Sequence, residues 1–148
     1  RLRFWCLWRF CSMADGYALA LQAALVTVLK ADAGVSALVS TRVYDQPPQS
    51  ATRPYIRIGG IEPRPLRTDG KSAANLTFGI EALSRPLTSG RVEATRCAEA
   101  IVAALNEAAL AVTGYDTVQV HWQTQTVDQD NDGQSYTAIV AFTALLDG

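Results

Sequence analysis

Two stretches near the C-terminus alternate apolar and polar side chains with a period of two, over lengths that suit paired β-strands. Val118, Val120, Trp122, Thr124 and Thr126 alternate with Gln119, His121, Gln123 and Gln125, and Tyr136, Ala138, Val140, Phe142 and Ala144 resume the pattern. Successive side chains of a strand point to opposite faces, so each stretch offers one face to a core and one to solvent. The segment from Asp128 to Gly133 that joins them consists of residue types that tolerate turn conformations, which predicts an antiparallel hairpin. Such a hairpin is not stable alone. It requires further strands and a cover for its apolar face.

The preceding sequence supplies both. Leu76, Phe78, Ile80 and Ala82 alternate with Thr77, Gly79, Glu81 and Leu83 as a half-buried strand, and Pro54 opens another over Tyr55, Ile56, Arg57 and Ile58. Gly59-Gly60 predicts a bend or bulge, Pro63 and Pro65 predict that the strand ends there, and Thr68 to Lys71 has the composition of a loop tip. Arg42-Val43-Tyr44 reads as a brief strand before the Gln46 to Arg53 loop, which contains Pro47-Pro48. Helical spacing appears twice. Tyr17, Leu21, Ala24, Leu25, Val28 and Leu29 recur at three- and four-residue steps, followed by Asp32 as an N-cap for a short turn with Val35 and Leu38. Ala94, Cys97, Ala98, Ile101, Val102 and Leu105 form a second stripe, with Thr88 and Ser89 as candidate caps. The order implies an α+β class: an antiparallel or mixed sheet of about five strands with two main helices packed on one face.

At 148 residues, 49% of them hydrophobic and 18% charged, the chain has the composition of a globular protein and the length of one domain, expected over residues 13–148. Residues 1–12, RLRFWCLWRFCS, differ in character, and with Met13 following they read as an upstream extension outside the core, the alternative being an aromatic arm that docks on a neighbour. The apolar run from Phe4 to Trp8 is far shorter than the roughly 20 residues of a membrane span.

The inventory for catalysis is thin. His121 is the one histidine and lies among strand glutamines, there is no nucleophile elbow or phosphate-binding loop, and Glu81 and Glu93 read as parts of a solvated face, so no catalytic residue and no cofactor is expected. Cys6, Cys11 and Cys97 match no zinc or redox spacing; Cys97, inside a helical stripe, reads as a small buried hydrophobe. Asp128, Asp130, Asp132 and Gly133 match the first half of a calcium-binding EF-hand loop, but Ile139 stands where that loop needs a bidentate Glu, and the flanks are strands. The segment therefore reads as an acidic hairpin tip, with a weak divalent-ion site as the alternative. The formal charge of -1 gives no general attraction to nucleic acid; Arg53, Arg57, Arg64, Arg67 and Lys71 form a local basic strip that reads as a solvated or ion-paired face. Asn75-Leu76-Thr77 satisfies a glycosylation sequon inside a strand with no secretory signal.

The run Leu29 to Val39, followed by Arg42-Val43-Tyr44, a proline-containing loop and Arg53-Pro54-Tyr55-Ile56, resembles the tail-completion or tail-terminator family of long-tailed phages and gene transfer agents. The resemblance continues through the Arg91 to Leu105 helix and the final hairpin. It implies a structural protein of the particle, assembled in the bacterial cytoplasm. Its subunits form a ring, expected to be a hexamer, that caps the head-proximal end of the tail tube, stops growth and joins the head connector while DNA passes through. The implied partners are further copies of the chain, the tail tube protein and the connector; a head-side stopper or adaptor is the alternative. Within that frame Asp69, Gly70 and Lys71, and the tip with Asp128, Asp130, Asp132 and Gly133, are expected to contact partners. Tyr44, Tyr55 and Arg57 are candidates for the subunit interface, because aromatic residues and Arg dominate interface hot spots; ordinary packing is the competing role.

Overall fold

The computed structural model describes residues 16–68, 71–86, 88, 90–115 and 117–147. The expected extension 1–12, Asp69, Gly70 and Ser89 lie outside them. In chain order the elements are α1 (Tyr17–Ala31), α2 (Ala33–Val39), β1 (Val43–Tyr44), β2 (Tyr55–Thr68), β3 (Lys71–Ser84), α3 (Val92–Leu105), β4 (Thr117–Gln129) and β5 (Tyr136–Asp147). The strands form one mixed sheet in the order β1-β2-β3-β5-β4, with β1 parallel to β2 and every other pair antiparallel. The two main helices, α1 and α3, pack against it, and the short turn expected after Asp32 is a third helix, α2, which packs on the other two.

α1 stays helical because its apolar residues fall on one stripe: Leu21, Leu25 and Leu29 are fully buried and Ala20 and Ala24 nearly so. It stops at Asp32, whose backbone turns extended and whose carboxylate accepts from the Val35 N–H at 3.0 Å, so one residue ends α1 and caps α2. The two helices meet at 79°, and no single helix among the described residues is long and apolar enough to cross a membrane. In α3 the predicted stripe is buried at Ala94, Cys97, Ala98, Ile101 and Leu105. The helix begins at Arg91 without any side-chain cap, so Thr88 does not cap it. The helices cover Ile56, Ile58, Leu76, Phe78, Ile80, Val140 and Phe142 on one sheet face, where the Phe78 and Phe142 rings stack with centroids 5.5 Å apart. At roughly 1.5–3 kcal/mol per buried large apolar side chain, this layer is the main source of stability.

Three expectations about the strands are corrected. β2 does not end at its prolines. It continues through Pro63 and Pro65, which pair in register with Leu76 and Ala74, as far as Thr68. The Ile56 N–H donates to the Arg42 carbonyl on the β1 side, and the register shift at Gly59-Gly60 then turns Ile61, Pro63 and Pro65 outward, away from β3. A missing N–H at those positions costs the ladder nothing. β2 runs so far that Thr68 pairs with Lys71, the first residue of β3, so both ends of the predicted Thr68 to Lys71 loop tip belong to strands. β4 does not alternate without interruption either. A bulge between Trp122 and Thr124 shifts its phase, so Gln125 and Val127 lie over Val140 and Ala138 on the helix-covered face while Thr124 and Thr126 turn to the open face.

Candidate assembly surfaces

The sheet face opposite the helices is uncovered among the described residues, and the expected interface residues meet on it. Register places Tyr44, Arg57, Glu81, Ile139 and Thr126 in one row across all five strands. The Tyr44 ring meets Tyr55 edge-on at 5.8 Å. Arg57 forms a bidentate pair with Glu81, Nη2 reaching Oε1 at 2.8 Å and Oε2 at 2.9 Å, with Nε at 3.2 Å from Oε2. The Glu81 hydrogen bond raises the Arg57 pKa further above its usual value, so the guanidinium is permanently charged. Tyr55 is only 8% exposed, so its part is packing under Tyr44, while Tyr44 and Arg57 are partly open to a neighbour.

Beside this row lies a trough of about 360 Å³ lined by Gly60, Ile61, Glu62, Thr77, Gly79 and Ala141. It exists because small residues face each other across β2, β3 and β5. A Cβ built on Gly59 would sit 2.9 Å from the Gly79 carbonyl oxygen, too close for any side chain, whereas Gly60 has open space around it. Ile139, Leu145 and Leu66, each more than two-fifths exposed, add apolar surface to this face. The trough was not expected from the sequence, although Gly59, Gly60, Gly79 and Ala141 were its available signal.

The tip of the last hairpin is a built turn. Asp132 Oδ1 accepts from the Gln134 N–H at 2.9 Å and the Ser135 N–H at 2.8 Å, and its Oδ2 accepts from the Ser135 hydroxyl at 2.7 Å and Arg85 Nη2 at 2.9 Å. These donors, the Gln134 N–H foremost, hold the Asp132 carboxyl far below the usual carboxylate range. Gly133 takes a positive φ of 72°, and Asp130 accepts from the Thr137 hydroxyl at 2.8 Å. The four residues proposed as an acidic group therefore separate: Asp130, Asp132 and Gly133 shape the turn, while Asp128 is on β4 opposite Thr137. Among the described residues no cluster of His, Cys, Asp or Glu is arranged to hold a metal ion. Arg85, Ser84 and Ser135 were missed in the sequence, and Glu93, read there as part of a solvated face, is half-buried and accepts from the Ser84 hydroxyl. Ser84 and Ser135 are fully buried polar residues, Ser84 donating to Glu93 and Ser135 accepting from Arg85, and nothing local in the sequence marks them.

Of the basic strip, Arg57 pairs with Glu81 and Arg64 with Glu62 at 3.2 Å, which is the ion-paired reading. His121 is exposed, as expected. Cys97 is buried, and its thiol is pushed up to about 11 by burial and by the nearby Glu93 carboxylate, so it is not a nucleophile at neutral pH.

What distinguishes the molecule is thus an uncovered sheet face and hairpins at both ends of the sheet, with no assembled chemistry among the described residues. The family comparison decides what such a shape is for: the model of the tail completion protein gp17 family matches residues 23–147. The chain belongs to this family. A chain in the solved structure "Virion of native gene transfer agent (GTA) particle" matches with a TM-score of 0.81 at 27% identity, covering 90% of this chain and 100% of that one. A second solved structure, at TM-score 0.54 and 12% identity over 89% of this chain and 96% of that chain, shares the fold alone. No curated protein sequence matches. Tail completion proteins are structural components of virion tails, and that is the class of this protein.

Proposed function

We propose that the chain is one subunit of a ring, a hexamer, that caps the head-proximal end of a tail tube, ends its growth and joins it to the head connector, with DNA passing through the ring. The observation that carries this reading is the separation of the two hairpin tips. β2 and β3 join beyond the Thr68–Lys71 pair, at the end of the sheet where Ala73 meets Asp147. β4 and β5 join beyond Gln129–Tyr136, at the end where Ser84 and Tyr55 lie. At about 3.3 Å per residue, strands of 12 to 14 residues hold these tips roughly 40 Å apart. A rigid subunit with a polar tip at each end suits a protein that touches two different partners, the tube at one side and the connector at the other.

Tyr44, Arg57 and the trough serve the contact between neighbouring subunits in this reading, and Tyr55 supports them from beneath. The tip with Asp128, Asp130 and Asp132, and the tip with Asp69, Gly70 and Lys71, serve the contacts along the tail axis. Acidic groups near a lumen repel DNA phosphates and keep the DNA mobile. The protein performs no catalysis in this role. Electron microscopy of particles from a deletion strain tests the reading directly. Tails of uncontrolled length are expected; finished tails of normal length that fail to join heads would overturn it in favour of a head-side stopper.

A further inference from the structure

Among the described residues Trp122 is the one exposed aromatic side chain, 42% open, although Val120, two positions earlier on β4, is fully buried. Register shows where it stands. Ile61, Phe78, Phe142 and Trp122 form one row across β2, β3, β5 and β4, and directly paired residues share a face, so Trp122 projects on the helix-covered side at the β4 edge. The backbone there is already engaged, the Trp122 N–H donating to Asn106 Oδ1 at 3.1 Å. Any contact made through Trp122 is therefore a side-chain contact and not a strand pairing.

The trough lies toward the other end of the same row, where Gly60, Ile61 and Glu62 of β2 meet Thr77 and Gly79 on either side of Phe78. It opens on the uncovered face. β1 pairs only with Ile56 and Arg57, so this part of the β2 edge is not overlain by β1. Trp122 and the trough thus occupy opposite edges and opposite faces of one sheet, yet a single row. Plates that overlap around a ring with the same side outward lay the underside of one edge on the upper side of the next plate's opposite edge. With the strands along the tail axis, as the proposed role sets them, one row lies at about one height, and such an overlap closes without a rise per subunit.

We infer that the Trp122 side chain of each copy fills the trough of the next copy, as the anchor of a heterologous contact around the ring. A buried Trp is a frequent hot spot, and the small residues Gly60, Gly79 and Ala141 leave the room it needs. Glu62 on the rim gives one carboxylate oxygen to Arg64, and the other offers an acceptor to the indole N–H. The occupant is a second copy because both halves of the contact belong to this chain and match in edge, face and row. The chain's own N-terminal residues join α1 on the helix-covered side, away from the mouth of the trough. This inference rests on the proposed ring and names the pair of surfaces that closes it.

Oxidation of purified particles that carry Gly60→Cys and Trp122→Cys together, in a Cys6→Ser, Cys11→Ser background, tests it. The two positions are three strand spacings apart within one chain, about 14 Å, so no internal bridge can form. A ladder of linked chains that ends at the size of the ring is expected. No ladder from particles that hold the double variant would overturn the inference, and links from either substitution alone would overturn it in favour of a two-fold contact. A Gly60→Cys chain that keeps Cys6 and Cys11 and bridges to them would overturn the choice of occupant and give the trough to the N-terminal residues. Particles that lack the wild-type chain would fail the tail reading alone, since a ladder in concentrated purified chain would still uphold the contact. Trp122→Ala should keep its melting temperature yet lose retention in particles by about tenfold or more, and Trp122→Phe should restore most of it. Wild-type retention of a folded Trp122→Ala chain would also count against the contact.

Discussion

At the scale of single residues, the decisive contacts are backbone-directed. Gly59 and Gly60 are adjacent and chemically identical, yet only Gly59 faces the Gly79 carbonyl at a distance no Cβ can accept. Gly59→Ala should therefore cost about 1–3 kcal/mol through forced strand separation, while Gly60→Ala stays near neutral; thermal melts of the two variants check this. Asp132 offers a pH test. Its pKa is depressed in the folded chain, so its contribution is fully present above the unfolded carboxylate value of about 4 and is lost as pH falls from there toward the folded value. Asp132→Asn should accordingly flatten the acid limb of stability below about pH 4 relative to wild type, followed by melting temperature against pH. Cys97, with a thiol raised to about 11 and on the buried stripe of α3, should resist alkylation in a Cys6→Ser, Cys11→Ser background until the protein unfolds. Rapid labelling of the folded form at neutral pH would contradict this burial.

At the scale of elements, stability divides between edges and interior in a way substitution can read. Thr126 points its N–H inward to β5, opposite Ile139, so Thr126→Pro removes a ladder bond from a paired position and should destabilise by about 3 kcal/mol or more. Pro63 and Pro65 point outward, so replacing either with Val should change the melting temperature little but expose a donor that permits aggregation, visible in light scattering. These positions also explain what the sequence made legible. Helix stripes and the alternation of β3 and β5 are read correctly because each side chain's burial follows from local period alone. The length of β2 was not legible, because whether a proline ends a strand depends on which way its nitrogen points, and that is set by the Gly59-Gly60 shift and by the pairing of β1 with the start of β2. The phase of β4 was hidden for the same reason: Gln123 is chemically like its neighbours, and only pairing with β5 reveals the extra residue.

At the scale of the whole molecule, the expected contact residues prove to lie in three places and not one. Tyr44, Tyr55 and Arg57 gather on the open face because β1 and β2 are in parallel register, a long-range fact that residue type alone could not convey. The acidic tip and the turn ahead of Lys71 fall at opposite ends because each strand pair reverses direction and the strands are nearly equal in length. This separation makes the proposed role divisible. Replacing Asp128, Asp130 and Asp132 with Ser changes one end only, and the Gly59-Gly79 trough and the β2–β3 turn remain as they were. If the two ends meet different partners, the triple variant should lose either tail-length control or head joining, but keep the other, as scored by electron microscopy and infectivity. Asp69→Ser combined with Lys71→Ser should produce the complementary loss. Arg57→Ala should instead affect both if, as proposed, Arg57 lies between subunits of a ring on which each end depends, and size measurements of tail caps would then report fewer complete rings. Equal loss of both functions from either tip would mean that the tips act through ring assembly, not through separate partners. Normal particles from all three variants would remove these surfaces from the assembly altogether.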